Sequence, residues 1–293
     1  IFSEKFKKNY PIVSYTLNFN NDNIFLLTDL NIDEKYKLDN NFHGNKNLWP
    51  TGYIHNAYFQ YRTNSSSFFL GRQSRNWGIL NEYSLIFSNN PYSFDHIGFT
   101  TSFGKIKFSY YTSKLADLNA LDLDGVSIPE GEYALSQRYW SAHRIDYIIS
   151  KKIQVSLSEA VTYGGPNSNF EFTYLNPTYF YLVGQKNDQL EANNFIQLSA
   201  LYSYSPKITY FLDLLIDDII VNNNEMNERK KYPDRLGVVF KVSYANNKKL
   251  HSLRYARIWD ETYRSYRTYE NYFSKNKFIG FPYNSYEGVR YNF

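Results

Sequence analysis

The chain has 293 residues, with 32 basic and 28 acidic side chains for a net charge of +4, and it carries 30 Tyr and 23 Phe against one Met and no Cys. The absence of Cys excludes disulfides, thiolate nucleophiles and Cys-ligated zinc together, and charges of both signs spread along the chain argue against a nucleic-acid partner. The mean hydropathy is −0.55, and the most apolar stretch, 211–221, is interrupted by Asp213, Asp217 and Asp218, so it falls short of the roughly 20 apolar residues of a spanning helix.

Aromatic wealth in a polar chain fits a closed membrane sheet. Only every second strand residue then meets lipid, and rings gather at the two interfaces. In chain order, period-two alternation predicts strands over 11–20, 23–34, 53–63, 66–74, 95–103, 105–114, 140–150, 152–163, 194–205, 208–219, 235–245, 249–260 and 286–293. Ile106, Phe108 and Tyr110 alternate with Lys105, Lys107 and Ser109. Ile153, Val155 and Leu157 alternate with Gln154, Ser156 and Ser158. Further on, Leu212, Leu214 and Ile216 face away from Asp213, and Val238, Phe240 and Val242 away from Lys241. A water-soluble β-sandwich would share this period, so the connections have to discriminate.

Tight turns join the first twelve strands in pairs: Asn21-Asp22, Asn64-Ser65, Gly104, Lys151, Pro206-Lys207 and 246–248. Between the pairs run long segments, 35–52, 75–94, 115–139, 164–193, 220–234 and 261–285. Short turns alternating with long loops are the pattern of an outer-membrane barrel, with turns in the periplasm and loops outside. Soluble domains rarely hold so many long loops. The expected fold is therefore an all-β, antiparallel transmembrane barrel, a single domain over residues 1–293, integral to a Gram-negative outer membrane. Such barrels generally have an even number of strands. Thirteen is odd, so at least one upstream strand is expected to be missing, and the chain reads as an N-terminally incomplete fragment. Residues 1–10 are charged and contain no apolar signal-peptide core. At the other end Val289, Tyr291 and Phe293 lie at period two, similar to the C-terminal signal read by the outer-membrane assembly machinery.

Three stretches resemble the capsule-assembly Wzi family. The first is Leu70-Gly71-Arg72-Gln73-Ser74-Arg75-Asn76-Trp77-Gly78, followed by Ser84-Leu85-Ile86-Phe87-Ser88-Asn89-Asn90. The second runs from His143-Arg144-Ile145-Asp146-Tyr147 through Leu157-Ser158-Glu159-Ala160-Val161 and Tyr163-Gly164-Gly165 to Tyr174-Leu175-Asn176-Pro177. The third is 211–219 with its Leu-Ile-Asp-Asp ending. The resemblance implies a barrel of about eighteen strands, within the range such proteins reach, and attachment of capsular polysaccharide to the cell surface. The family's helical N-terminal segment and early strands have no counterpart here, and members often continue beyond the point matching Phe281-Pro282.

Candidate site residues fall into three groups. Arg72, Arg75 and Trp77 stand where a strand passes into a long loop. Guanidinium forks beside an indole suit an anionic sugar, and the alternative is a network holding the 75–94 loop inside the barrel. His143 and Arg144 face Glu159 across the Lys151 turn, so an Arg144–Glu159 pair is expected, as a lumen salt bridge or a ligand contact. The segment 171–182 is expected to form a short loop helix that folds inward and narrows the pore, or to stack sugars through Tyr174, Tyr179 and Tyr181. Asp213, Asp217 and Asp218 suit a hydrated lumen or rim, with Ca²⁺ as the alternative; no metal or cofactor is assigned. The five histidines, His43, His55, His96, His143 and His251, lie in no nucleophile or zinc motif, so no catalysis is expected. The leading function is a non-enzymatic barrel that binds or anchors surface or capsular polysaccharide, in contact with outer-membrane lipid and open to envelope protein partners. A porin-like channel and a structural subunit of an envelope complex are the other two, and a plugged or open lumen would separate anchoring from transport.

Overall fold

The computed structural model describes residues 12–40, 42, 44–47, 51–80, 82–119, 135–188, 190–218, 234–246 and 249–292. Phe293, and with it the terminal part of the assembly-signal expectation, lies outside the described residues, as does His43.

In the first half the strands are β1 (Val13–Asn20), β2 (Ile24–Ile32), β3 (Gly52–Arg62), β4 (Ser66–Gln73), β5 (Phe94–Phe103), β6 (Ile106–Lys114) and the two-residue β7 (Leu118–Asn119). Then come β8 (Leu135–Ser150), β9 (Ile153–Pro166), β10 (Ala192–Ser205), β11 (Ile208–Asp218), β12 (Arg235–Ala245) and β13 (Leu250–Ile258). A small hairpin, β14 (Phe273–Ser274) with β15 (Lys277–Phe278), precedes the last strand, β16 (Tyr286–Asn292). Helices α1 (Lys35–Leu38), α2 (Phe172–Leu175) and α3 (Tyr181–Asp188) all lie in long connections.

Among the described residues one 14-stranded antiparallel sheet runs in sequence order from β1 to β13 and on to β16, with β7 paired to β8 off this path. All thirteen expected strands are present. β1 and β16 are its edges and do not pair with each other among the described residues. No described helix is long and apolar enough to cross a membrane; crossing falls to the strands.

The alternation read from sequence sorts the two faces. Ile145, Tyr147, Leu157, Leu198, Leu214, Phe240 and Leu253 stand exposed on one of them, the arrangement of a lipid-facing wall. On the other face Arg144, Ser158, Gln197, Asp213, Lys241 and Arg254 are buried. They are covered because segments 74–93 and 259–285, both from the long-loop end, fold onto this inner face as a plug. Its apolar centre joins Leu85, Ile86 and Phe87 to Trp140, Phe195, Tyr263, Tyr272, Ile279 and Phe281.

Backbone groups inside the plug are bonded between its two segments, as buried polar groups require. Ser88 N–H donates to Ile279 O at 2.8 Å and Asn90 Nδ2 to Phe278 O at 2.9 Å. The Tyr263 and Tyr272 hydroxyls donate to the carbonyls of Leu85 and Ile86, each at 2.6 Å. Gly280 is required at this seam, because a Cβ there would stand 2.2 Å from the Leu85 carbonyl oxygen.

Candidate functional site

The plug is fastened to the wall by charged side chains that strand parity aims inward. Glu82 accepts from Lys241 Nζ of β12 at 2.8 Å and from Arg254 Nη1 of β13 at 3.1 Å. Lys241 also donates to Leu80 O at 2.8 Å. From β8, Arg138 donates to the carbonyls of Tyr269, Asn271 and Phe273 at 2.8, 2.5 and 3.0 Å. Three alternations further along β8, Arg144 donates to Trp77 O at 2.9 Å while holding Asp146 and Ser156. Sequence reasoning passed over Glu82, Arg138, Lys241 and Arg254. The available signal was Lys241 itself, a mid-strand cation on the face opposite Val238, Phe240 and Val242.

The residues expected to cluster as Arg72, Arg75 and Trp77 go three ways. Arg72, at the end of β4, is cross-strand partner to Asp95 of β5 and forms a bidentate pair with it, at 2.6 and 3.2 Å. Arg75 turns inward, its guanidinium 4.0 Å from the Phe69 ring and 4.4 Å from the Tyr111 ring, and donates to His96 Nε2 at 2.7 Å. Trp77 packs on Phe87 within the plug, with Arg144 5.9 Å from its ring. Arg75 thus packs on the wall and Trp77 within the plug, and only Arg72 stays at the rim.

The expected Arg144–Glu159 pair does not form. β8 and β9 pair His143 with Glu159 and Arg144 with Ser158, and neighbouring strand residues face opposite sides, so Arg144 and Glu159 are on different faces. Glu159 instead meets His143 Nε2 at 3.2 Å.

Segment 167–191 departs most from expectation. It does form α2 and α3, but it lies on the outer face and not in the pore. Tyr174 and Tyr181 pack on Tyr139, Val161, Tyr163 and Ala192, with Tyr179 and Leu190 at the margin. Glu159 accepts the backbone N–H of Tyr181 at 3.0 Å and of Leu182 at 2.7 Å, at the start of α3. Tyr174 is fully buried and stacks on Tyr163, not on a sugar.

Among the described residues, a basic and aromatic group stands at the long-loop rim beside the exposed Asp95. Tyr92 stacks edge-on with Tyr53 at 4.9 Å, Tyr53 packs on Tyr36 and Phe42, and the Tyr92 hydroxyl donates to the Asp39 carboxylate. Burial, reinforced by Asp39, keeps this phenol above its ordinary pKa. Lys277 sits 4.8 Å from the Tyr92 ring. Lys275, next to it in the β14–β15 turn, has its ammonium pKa lowered by burial and by the nearby Arg72. Arg72, Lys275, Lys277 and Tyr92 thus gather at one rim, from three separate parts of the chain. At the short-turn end a second feature opens on the inner face, a polar trough of about 430 Å³ lined by Trp77, Lys107, Ser109, Arg144, Asp146 and Gln154.

A curved antiparallel sheet with an apolar outer wall, a plugged inner face and short turns at one end defines an outer-membrane β-barrel protein. The family model for the capsule assembly protein Wzi matches residues 36–238, and the chain belongs to that family. The solved Wzi of Escherichia coli, described as an outer-membrane protein involved in group 1 capsule assembly and a carbohydrate-binding β-barrel, shares the fold at TM-score 0.61 and 10% identity. The match covers 92% of this chain and 57% of that one, so this chain spans little more than half of its length. OmpT of Vibrio cholerae, an outer-membrane protein folded in vitro, aligns at TM-score 0.42 and 9% identity over 94% of this chain and 86% of its own. Comparison with curated proteins found no match.

Proposed function

We propose that this chain is the wall and plug of a non-enzymatic barrel that binds acidic surface or capsular polysaccharide at its extracellular rim and does not conduct solutes. The observation that carries the reading is the plug. Two loops that could have stood out in water are drawn inward and knit to the wall by Glu82, Arg138 and Arg144, which leaves the rim as the accessible surface. There Arg72, Lys275 and Lys277 supply cations and Tyr92 an aromatic face, the combination that recognises a carboxylated sugar. Arg72 is held in place by Asp95, which is itself well exposed, so a glycan carboxylate exchanges with Asp95 at little cost.

The polar trough beneath the plug favours a second reading, a channel or uptake component whose plug moves. Both readings are separated by one preparation of the full-length detergent-purified protein, assayed for binding of polysaccharide from its own cell surface and for bilayer conductance. Saturable binding without conductance supports the first. Steady conductance without binding sinks it. In the binding assay, Arg72→Ala combined with Lys275→Ala weakens affinity about tenfold, equivalent to about 1.4 kcal/mol; unchanged affinity in a folded double variant would move the site away from this rim.

A further inference from the structure

We infer that segment 167–191 is a collar seated in the lipid of the outer leaflet, with Phe172, Phe180, Leu182 and Val183 directed at acyl chains. The outer face of β6, β8, β9 and β10 carries the argument. Its lower half presents Ile106, Ile145, Leu157 and Leu198, all exposed. Within one or two alternations higher the same columns become Tyr110, His143, Glu159 and Asn194, all buried. The collar starts where the bare apolar band stops.

Depth follows from strand geometry. Strands rise about 3.3 Å per residue and tilt about 40°, so Glu159 lies roughly 15 Å above the start of β9, inside an apolar band about 25 Å tall. A carboxylate pointing outward at that level would face hydrocarbon, and charge on the lipid face is costly there. The structure covers it with the first backbone N–H groups of α3, at 3.0 and 2.7 Å, and with His143 at 3.2 Å. The element providing this cover must lie at the same depth.

The collar's own free surface agrees. Phe172 is 88% exposed, Phe180 64% and Val183 52%, as apolar as the lipid-facing band. Among the described residues, exposed Asn167, Asn169, Glu171, Asn176, Thr178, Asn187 and Glu191 form the polar part of this surface, as expected of an element lying at the interface and not crossing it. Its backbone is bonded internally through α2 and α3 and to the wall through Gln185 and Ala192, as a membrane-depth segment requires.

The chain contains no Cys, so single cysteines report single sites. Phe180→Cys and Val183→Cys, spin-labelled in full-length protein in lipid nanodiscs, are compared with Leu157→Cys on the apolar band and Lys152→Cys in the short turn. Barrels are first selected by their heat-modifiable mobility, and two collar positions keep the test alive if one variant does not fold. The expected ratio of oxygen to nickel-chelate accessibility at both collar positions is within twofold of that at Leu157→Cys. A ratio within twofold of that at Lys152→Cys would place the collar in water and overturn the inference. Low accessibility to both reagents would mean a protein partner or a second copy covers the surface, and would overturn it equally.

Discussion

The plug and the collar are both long extracellular connections folded back on the sheet; they share strands β8 to β10, the plug reaching β12 and β13 as well, yet they are fastened by different means. On the inner face, charges add to an apolar core that includes Trp140 and Phe195 of the wall: Glu82 between Lys241 and Arg254, Arg138 on three carbonyls, Arg144 on Trp77. On the outer face a stack of tyrosines does most of it, with Tyr139, Tyr163, Tyr174 and Tyr181 in mutual contact and a single carboxylate at the base. The difference follows the solvent each face is built for. An inner wall facing water keeps polar residues at alternate positions, and a loop docking there finds charges to pair with. An outer wall facing lipid is aromatic and aliphatic, and a loop docking there finds rings.

The sharpest test of this contrast is Glu82→Ala. It leaves the buried Lys241 and Arg254 without their carboxylate, and breaking such a buried pair costs about 3–5 kcal/mol. Urea unfolding in lipid should show a loss of that order, and single-channel recordings should acquire conductance as the plug loosens. A loss under about 1 kcal/mol would show that the apolar seam, and not the charges, holds the plug. Gly280→Ala attacks that seam directly, with its Cβ set against the Leu85 carbonyl; about 1–3 kcal/mol is expected, in the same unfolding assay. Glu159→Gln keeps the shape of the collar's anchor but weakens acceptance from Tyr181 and Leu182. The expected cost is about 1–2 kcal/mol, read as faster proteolysis within 167–191 with no conductance. Conductance from this variant would mean that the two faces are coupled. Least of all, Arg257→Ala removes an exposed pair with Glu287 at 4.0 Å and should shift the unfolding midpoint by no more than about 0.5 kcal/mol.

The strands were legible because lipid on one side and a polar interior on the other impose period two, and the tight turns carry Asn, Asp, Gly, Pro and Ser. Where the long loops would go was not. Leu85 and Ile86 read as an ordinary apolar pair in a loop; only the arrival of Tyr263, Tyr272 and Ile279 makes them a core. The Arg144–Glu159 error has a smaller cause. Adjacent residues on a strand face opposite ways, so a one-residue misjudgement of pairing changes the partner and the side of the sheet. The sequence did contain the remedy: Val155, Leu157 and Glu159 are one alternating series, so Glu159 had to share the outward face of Leu157. Of the rim only Arg72 was legible, at the passage of a strand into a long loop; Tyr92, Lys275 and Lys277 are brought to it by the fold.

The seam between the two plug segments also bears on how the protein forms. Ser88 bonds to Gly280 across 192 positions of chain, and Glu82 to Arg254 across 172. Contacts so distant in sequence are slow to close. Until the final hairpin arrives, Leu85–Ser88 presents unsatisfied carbonyls and bare apolar side chains. Maturation of this barrel should therefore include a late, first-order step in which residues 259–285 seat, well after the strands have paired.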